Sequence, residues 1–125
     1  MEHFHDSTRY LCLGTFRKSG VLVPTPVWFA LHGGCLYAFS AGEAGKVKRL
    51  RNSGRARVAP CDWRGGLAGA WTDATASLVT DRAERAAAFR ALRHKYGWQM
   101  RALDVGAWLG RKIASRAVIR IELPN

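Results

Sequence analysis

Four cations within one short stretch, Lys46, Lys48, Arg49 and Arg51, are the residues best suited to chemistry in this chain. Placed on a helix, Lys46 and Arg49 stand three apart and share a face, which we expect to lie opposite the apolar Val47 and Leu50. The start of that helix, near Glu43 to Gly45, offers free backbone amides and a positive dipole end, and its small residues let an anion come close. Such a set is built to hold a phosphate, although a solvated charged face gives the same pattern. Upstream lies Pro24-Thr25-Pro26-Val27-Trp28-Phe29. Its prolines carry no amide proton, so a strand through them exposes backbone groups that a flat, hydrogen-bonding ring can borrow; an edge strand with core aromatics reads the same way. Of Trp63, Trp71, Trp98 and Trp108, at least half are expected in the core, and Trp71, in a strand after a glycine-rich turn, is the preferred neighbour for a ring.

The other residue types exclude more than they suggest. The chain shows no Ser-His-Asp set, no paired carboxylates, no phosphate-binding P-loop and no G-x-G-x-x-G. His3, His5, His32 and His94 lack metal-ligand spacing, so no metal site is expected. Cys12, Cys35 and Cys61 form no C-x-x-C pair and sit in apolar surroundings, which suits free thiols in a reducing, cytoplasmic setting. An enzyme of this composition needs a cofactor to carry the hard chemistry. The net charge of +11 favours an anionic partner: a phosphorylated small molecule, an acidic membrane surface or nucleic acid. No signal peptide and no membrane-spanning apolar run are found.

These residues must be positioned by a small domain. At 125 residues the chain is read as one domain, 1–125, with 1–8 a frayed N-terminal segment. Strands are expected at Arg9–Phe16, Val21–Leu31, Cys35–Ser40, Ala56–Cys61, Ala68–Val79 and Arg116–Leu123, the second irregular at its prolines. Helices are expected at Gly42–Arg51, from a cap at Thr80 or Asp81 to about Tyr96, and at Gln99–Leu109. About six strands with two or three helices make a mainly β fold, a small antiparallel barrel.

Several segments occur in an order that identifies a family. They are Tyr10-Leu11-Cys12-Leu13-Gly14-Thr15-Phe16-Arg17-Lys18-Ser19-Gly20, Thr25-Pro26-Val27-Trp28-Phe29, Gly45-Lys46-Val47-Lys48-Arg49-Leu50-Arg51, Arg57-Val58-Ala59-Pro60-Cys61-Asp62 and Lys95-Tyr96-Gly97-Trp98. Together they resemble the pyridoxamine 5'-phosphate oxidase-like superfamily of split β-barrels (FMN-binding split barrels), and within it the branch of deazaflavin-dependent oxidoreductases. The resemblance implies a homodimer with two cofactor sites at the subunit interface. It implies FMN or a deazaflavin, coenzyme F-420, as cofactor, and hydride transfer between that ring and an unidentified small molecule. Lys46, Lys48 and Arg49 would then bind the phosphate, Thr25, Pro26, Val27 and Trp28 would line the ring, and Ser40 would be a further contact. Gly45 stands where many members have Ser, which removes one hydroxyl donor. Two alternatives remain open: a non-catalytic flavin or haem binding protein of the same fold, and a basic nucleic-acid-binding barrel, which leaves the Thr-Pro-Val-Trp strand unexplained.

Overall fold

The computed structural model describes residues 8–42, 44–110 and 116–124. The expected frayed segment, with His3 and His5, lies almost wholly outside them, as does Glu43. Seven strands, rather than six, form one antiparallel sheet: β1 (Tyr10–Phe16), β2 (Leu22–Val27), β3 (Phe29–His32), β4 (Cys35–Ser40), β5 (Arg55–Cys61), β6 (Thr72–Val79) and β7 (Ala117–Glu122). Three helices complete it, α1 (Gly45–Asn52), α2 (Arg82–Tyr96) and α3 (Trp98–Leu109).

The sheet runs in the order β2-β1-β5-β6-β7-β4-β3, so β2 and β3 occupy opposite edges although only Trp28 separates them in sequence. The chain therefore crosses from one edge of the sheet to the other at Trp28, which curls the sheet into a barrel left split between its two edge strands, β2 and β3. This corrects the single strand expected over Val21–Leu31. The apolar run is continuous, but one straight strand cannot serve two edges. The prolines do not break the strand. Pro24 pairs with Gly14 and Pro26 with Cys12, and the outer side of β2 is an edge, where a missing amide proton costs no ladder bond.

The fifth expected strand is shortened. Ala68 to Trp71 are not extended pairing residues; the turn that precedes them makes one isolated bridge, Leu67 to Cys61, and β6 begins at Thr72. Gly65, at φ 85°, turns the chain here.

Alternation on β1, β4, β5 and β7 sends Leu11, Leu13, Leu36, Ala38, Val58, Ile119 and Ile121 into the barrel interior, where they are fully buried. The opposite faces of β3, β4 and β7 are covered by α2 and α3, through Ala88, Phe89, Leu92, Tyr96 and Met100. Asp81 caps α2 by accepting from the Glu84 amide at 2.8 Å, and Gly97, at φ 61°, ends it. Tyr96 fastens this layer to the barrel corner. Its hydroxyl accepts from the Phe29 amide at 3.0 Å and lies 2.7 Å from the Arg9 carbonyl, and its ring stacks on Trp28 at 4.4 Å.

Candidate functional site

Helix α1 follows β4 directly and lies against β1 and β6, burying Val47 and Leu50. Lys46 and Arg49 do not lie opposite those residues, as the sequence reading expected. At 3.6 residues per turn, Lys46 neighbours Leu50 one turn on and flanks the apolar stripe, while Arg49 lies further round the helix; both are half-buried. Lys48, displaced from the stripe to the other side, is exposed.

Arg49 is turned onto the barrel. Its Nε donates to Thr15 Oγ1 at 2.6 Å, and Thr15 is fully buried on β1. Its guanidinium also lies along the first turn of α1: a Cβ added to Gly45 would sit 2.9 Å from Arg49 Nη1. With glycine at this position the guanidinium lies close against the helix backbone without shifting. No side chain caps the helix at Ala44. Burial first, and then the nearby Arg49 charge, hold the Lys46 ammonium below the ordinary lysine value of 10.5. Among the described residues, no carboxylate pairs with Lys46 or Arg49. Two adjacent cations, partly removed from water and without a carboxylate partner among the described residues, form a donor set that fits a phosphate.

The remaining candidates divide between two faces. Thr25 pairs with Leu13 and Val23 with Thr15, so Thr25 projects from the interior face of the ladder, one step from the Thr15–Arg49 bond. Val27 shares that face, buried in the core. Ser40, also buried, continues the interior alternation of Leu36 and Ala38 on β4, and β2 and β4 meet across the split. Thr25 thus neighbours the Thr15–Arg49 bond, whereas Val27, opposite Leu11, lies further along the same ladder, away from that bond. Pro26 lies on the outer face, within 3.9 Å of the Cβ position of Gly65. Trp71 also lies there, half-buried, its ring over Gly14 at 3.3 Å from that residue's Cβ position. It precedes β6 and does not belong to a strand as expected. Trp28 stands at the corner, stacked on Tyr96.

Trp63, Trp98 and Trp108 are 63%, 76% and 65% exposed, against the expectation that half of the four tryptophans would be core. They occupy a turn and the outer face of α3, where the core offers them no room. The sequence reading missed Thr15, whose signal was a hydroxyl at an interior position of an otherwise apolar strand, and Tyr96 as the corner fastening. Cys12 and Cys61 are buried and Cys35 half-buried, all as free thiols. Burial pushes Cys61 up to about 12, so it stays protonated. Among the described residues no group of His, Cys, Asp and Glu could hold a metal ion, and no helix is long and apolar enough to cross a membrane.

A split antiparallel barrel with a short basic helix at one end defines a class, and comparison with known proteins names it. The family model described as pyridoxamine 5'-phosphate oxidase matches residues 1–123, and the chain belongs to that family. No curated protein matches it. Solved structures with the same fold include a conserved hypothetical protein of Mycobacterium tuberculosis, at 18% identity and TM-score 0.71 over 96% of this chain and 76% of that one. The heme storage protein HutZ of Vibrio cholerae superposes at TM-score 0.72 with 13% identity, covering 95% of this chain and 84% of that one. A FAD-binding protein of Mesorhizobium loti matches at TM-score 0.63 and 19% identity, covering 96% and 82%.

Proposed function

We propose that this protein is an oxidoreductase that binds a phosphorylated flavin-type cofactor, FMN or its deazaflavin relative coenzyme F-420, in a site completed by a second copy of the chain. The observation that carries this reading is the pair of half-buried cations on α1, Lys46 and Arg49, with no carboxylate partner among the described residues. Family membership supports it, as does the FAD-binding relative.

Lys46 and Arg49 hold the cofactor phosphate, and Thr15 fixes the direction of the Arg49 fork. Lys48, exposed on the same helix, adds charge at the rim. Thr25 and Ser40 offer hydroxyls at the split, and Val27, with the barrel core behind it, excludes water. When bound, the ring supplies hydride transfer to or from a small molecule, a chemistry no side chain provides. Orientation and a fixed electrostatic surrounding are the protein's part. Tyr37 and Tyr96 are poor candidates for a proton donor. Burial first pushes each up to about 12, and their hydroxyls are engaged, by Glu84 for Tyr37 and by backbone for Tyr96.

The second copy has a surface to cover. On α3, Trp98, Val105 and Leu109 line up at helical spacing and are 76%, 55% and 68% exposed, an apolar stripe unusual on a solvated helix. The absorption spectrum of the purified protein, with titration of FMN and coenzyme F-420, tests the reading. A flavin or deazaflavin band, or saturable binding of either, is expected; a Soret band without flavin binding would instead make this a haem carrier.

A further inference from the structure

A cleft beside Arg49 is lined by further cations that the cofactor reading does not use. Its walls are the β1–β2 hairpin, the end of α1 and the start of β5, and its volume is ≈ 500 Å³, within the range of small-molecule sites. Arg17, Lys18, Arg49 and Arg55 border it, and no carboxylate among the described residues pairs with any of them.

The cleft is held in shape. The hairpin is closed by the Arg17 amide on the Val21 carbonyl at 2.9 Å and the Gly20 amide on the Arg17 carbonyl at 2.8 Å, with Gly20 at φ 91°. That turn fixes the Arg17 and Lys18 backbone at one rim. Across from it, the Arg55 guanidinium lies over the Phe16 ring at 4.1 Å, and the Arg55 amide donates to Ser53 Oγ at 3.2 Å. Phe16 thereby orients Arg55, as Thr15 orients Arg49. Another basic hollow, beside Arg90, Arg93 and Arg101, differs: its Arg93 is already committed to Asp104.

We infer that this cleft binds a compact polyanion, a small molecule carrying two or more adjacent phosphate or carboxylate groups. Several guanidinium groups bordering one cleft suit bidentate contacts to neighbouring oxyanions. A concave site favours a small ligand over a nucleic-acid backbone, which needs an extended basic stripe. The site shares Arg49 as a wall with the proposed phosphate site, but its other cations play no part there, so the two readings fail separately.

The test is calorimetric titration of tripolyphosphate and of citrate into the full chain, for wild type, Arg17→Ala/Arg55→Ala and the control Arg90→Ala/Arg101→Ala. All four substituted residues are exposed. We expect saturable binding of one or both probes, and the preferred probe tells phosphate from carboxylate. The cleft variant should lose affinity at least about tenfold, with the control near wild type and FMN affinity within about twofold. No saturable binding by wild type, an unchanged cleft variant, or an equal loss in the control would overturn the inference. So would cleft-dependent binding of a short single-stranded oligonucleotide without binding of either probe.

Discussion

Around α2 and α3, Asp104 receives Arg93 at 2.6 Å and Arg116 at 2.9 Å, and Glu84 receives Arg120 at 2.8 Å. Around α1, Lys46, Arg49 and the neighbouring Arg17, Lys18 and Arg55 meet no carboxylate among the described residues. Both regions are basic, but they use charge differently. In the first, arginines are structural: they tie the helical layer and β7 together, and Arg116 is almost completely buried. In the second, Arg49 and Arg55 are held in place by neutral partners, Thr15 and Phe16, which orient them without neutralising them. A net charge of +11 therefore says little until each cation's partner is known.

The contrast can be broken first at Asp104. Asp104→Asn should lower stability by roughly 2–3 kcal/mol, because two arginines, one of them buried, lose the carboxylate they share. Urea unfolding measures this, and a negligible change would show the pairs to be ornamental. Tyr96→Phe comes next, at about 1–2 kcal/mol, since the buried Phe29 amide loses its hydroxyl acceptor. Lys46→Ala with Arg49→Ala should cost less, under about 1 kcal/mol: it removes two cations that have no carboxylate partner among the described residues, while Thr15 loses a partner. If this double variant unfolded the protein, α1 would belong with the structural region.

Two pH responses sharpen the same contrast. Burial pushes the Asp104 carboxyl up, but the bonds from Arg93 and Arg116 outweigh it and leave it below the ordinary 3.8. Its contribution is complete above that ordinary value and is lost as pH falls through the lower folded one, so wild type should lose stability in acid along a limb that Asp104→Asn lacks. Lys46 is depressed, and only its charged form attracts phosphate. Cofactor affinity should therefore decline as pH rises through the lowered Lys46 value, before a free lysine would titrate. An affinity flat up to the ordinary lysine range would remove Lys46 from the site.

Much of this architecture was legible in the residues. Alternation located β1, β4, β5 and β7, and the Asp81 cap and Gly97 stop bounded α2. The break at Trp28 was not legible, because the need for it arises from closing a sheet whose edges are far apart in sequence. The start of β6 was overrun because Gly69, the one break signal among Ala68 to Trp71, is weaker than the Gly65-Gly66 turn before it and is also found inside strands. The cations of α1 were legible as a set. Which of them is half-buried was not: that depends on how helical geometry places Lys46 beside Leu50, and on the Thr15 hydroxyl across the barrel wall.

The central claim is that the half-buried cations of α1 hold the phosphate of a flavin-type cofactor. Fluorescence titration of FMN and coenzyme F-420 into cofactor-free wild type and Lys46→Ala/Arg49→Ala tests it most directly. The account predicts saturable binding by wild type and a loss of about 100-fold or more in the variant, from two charge-assisted contacts, with its circular dichroism unchanged. Equal affinity in the two proteins would contradict it.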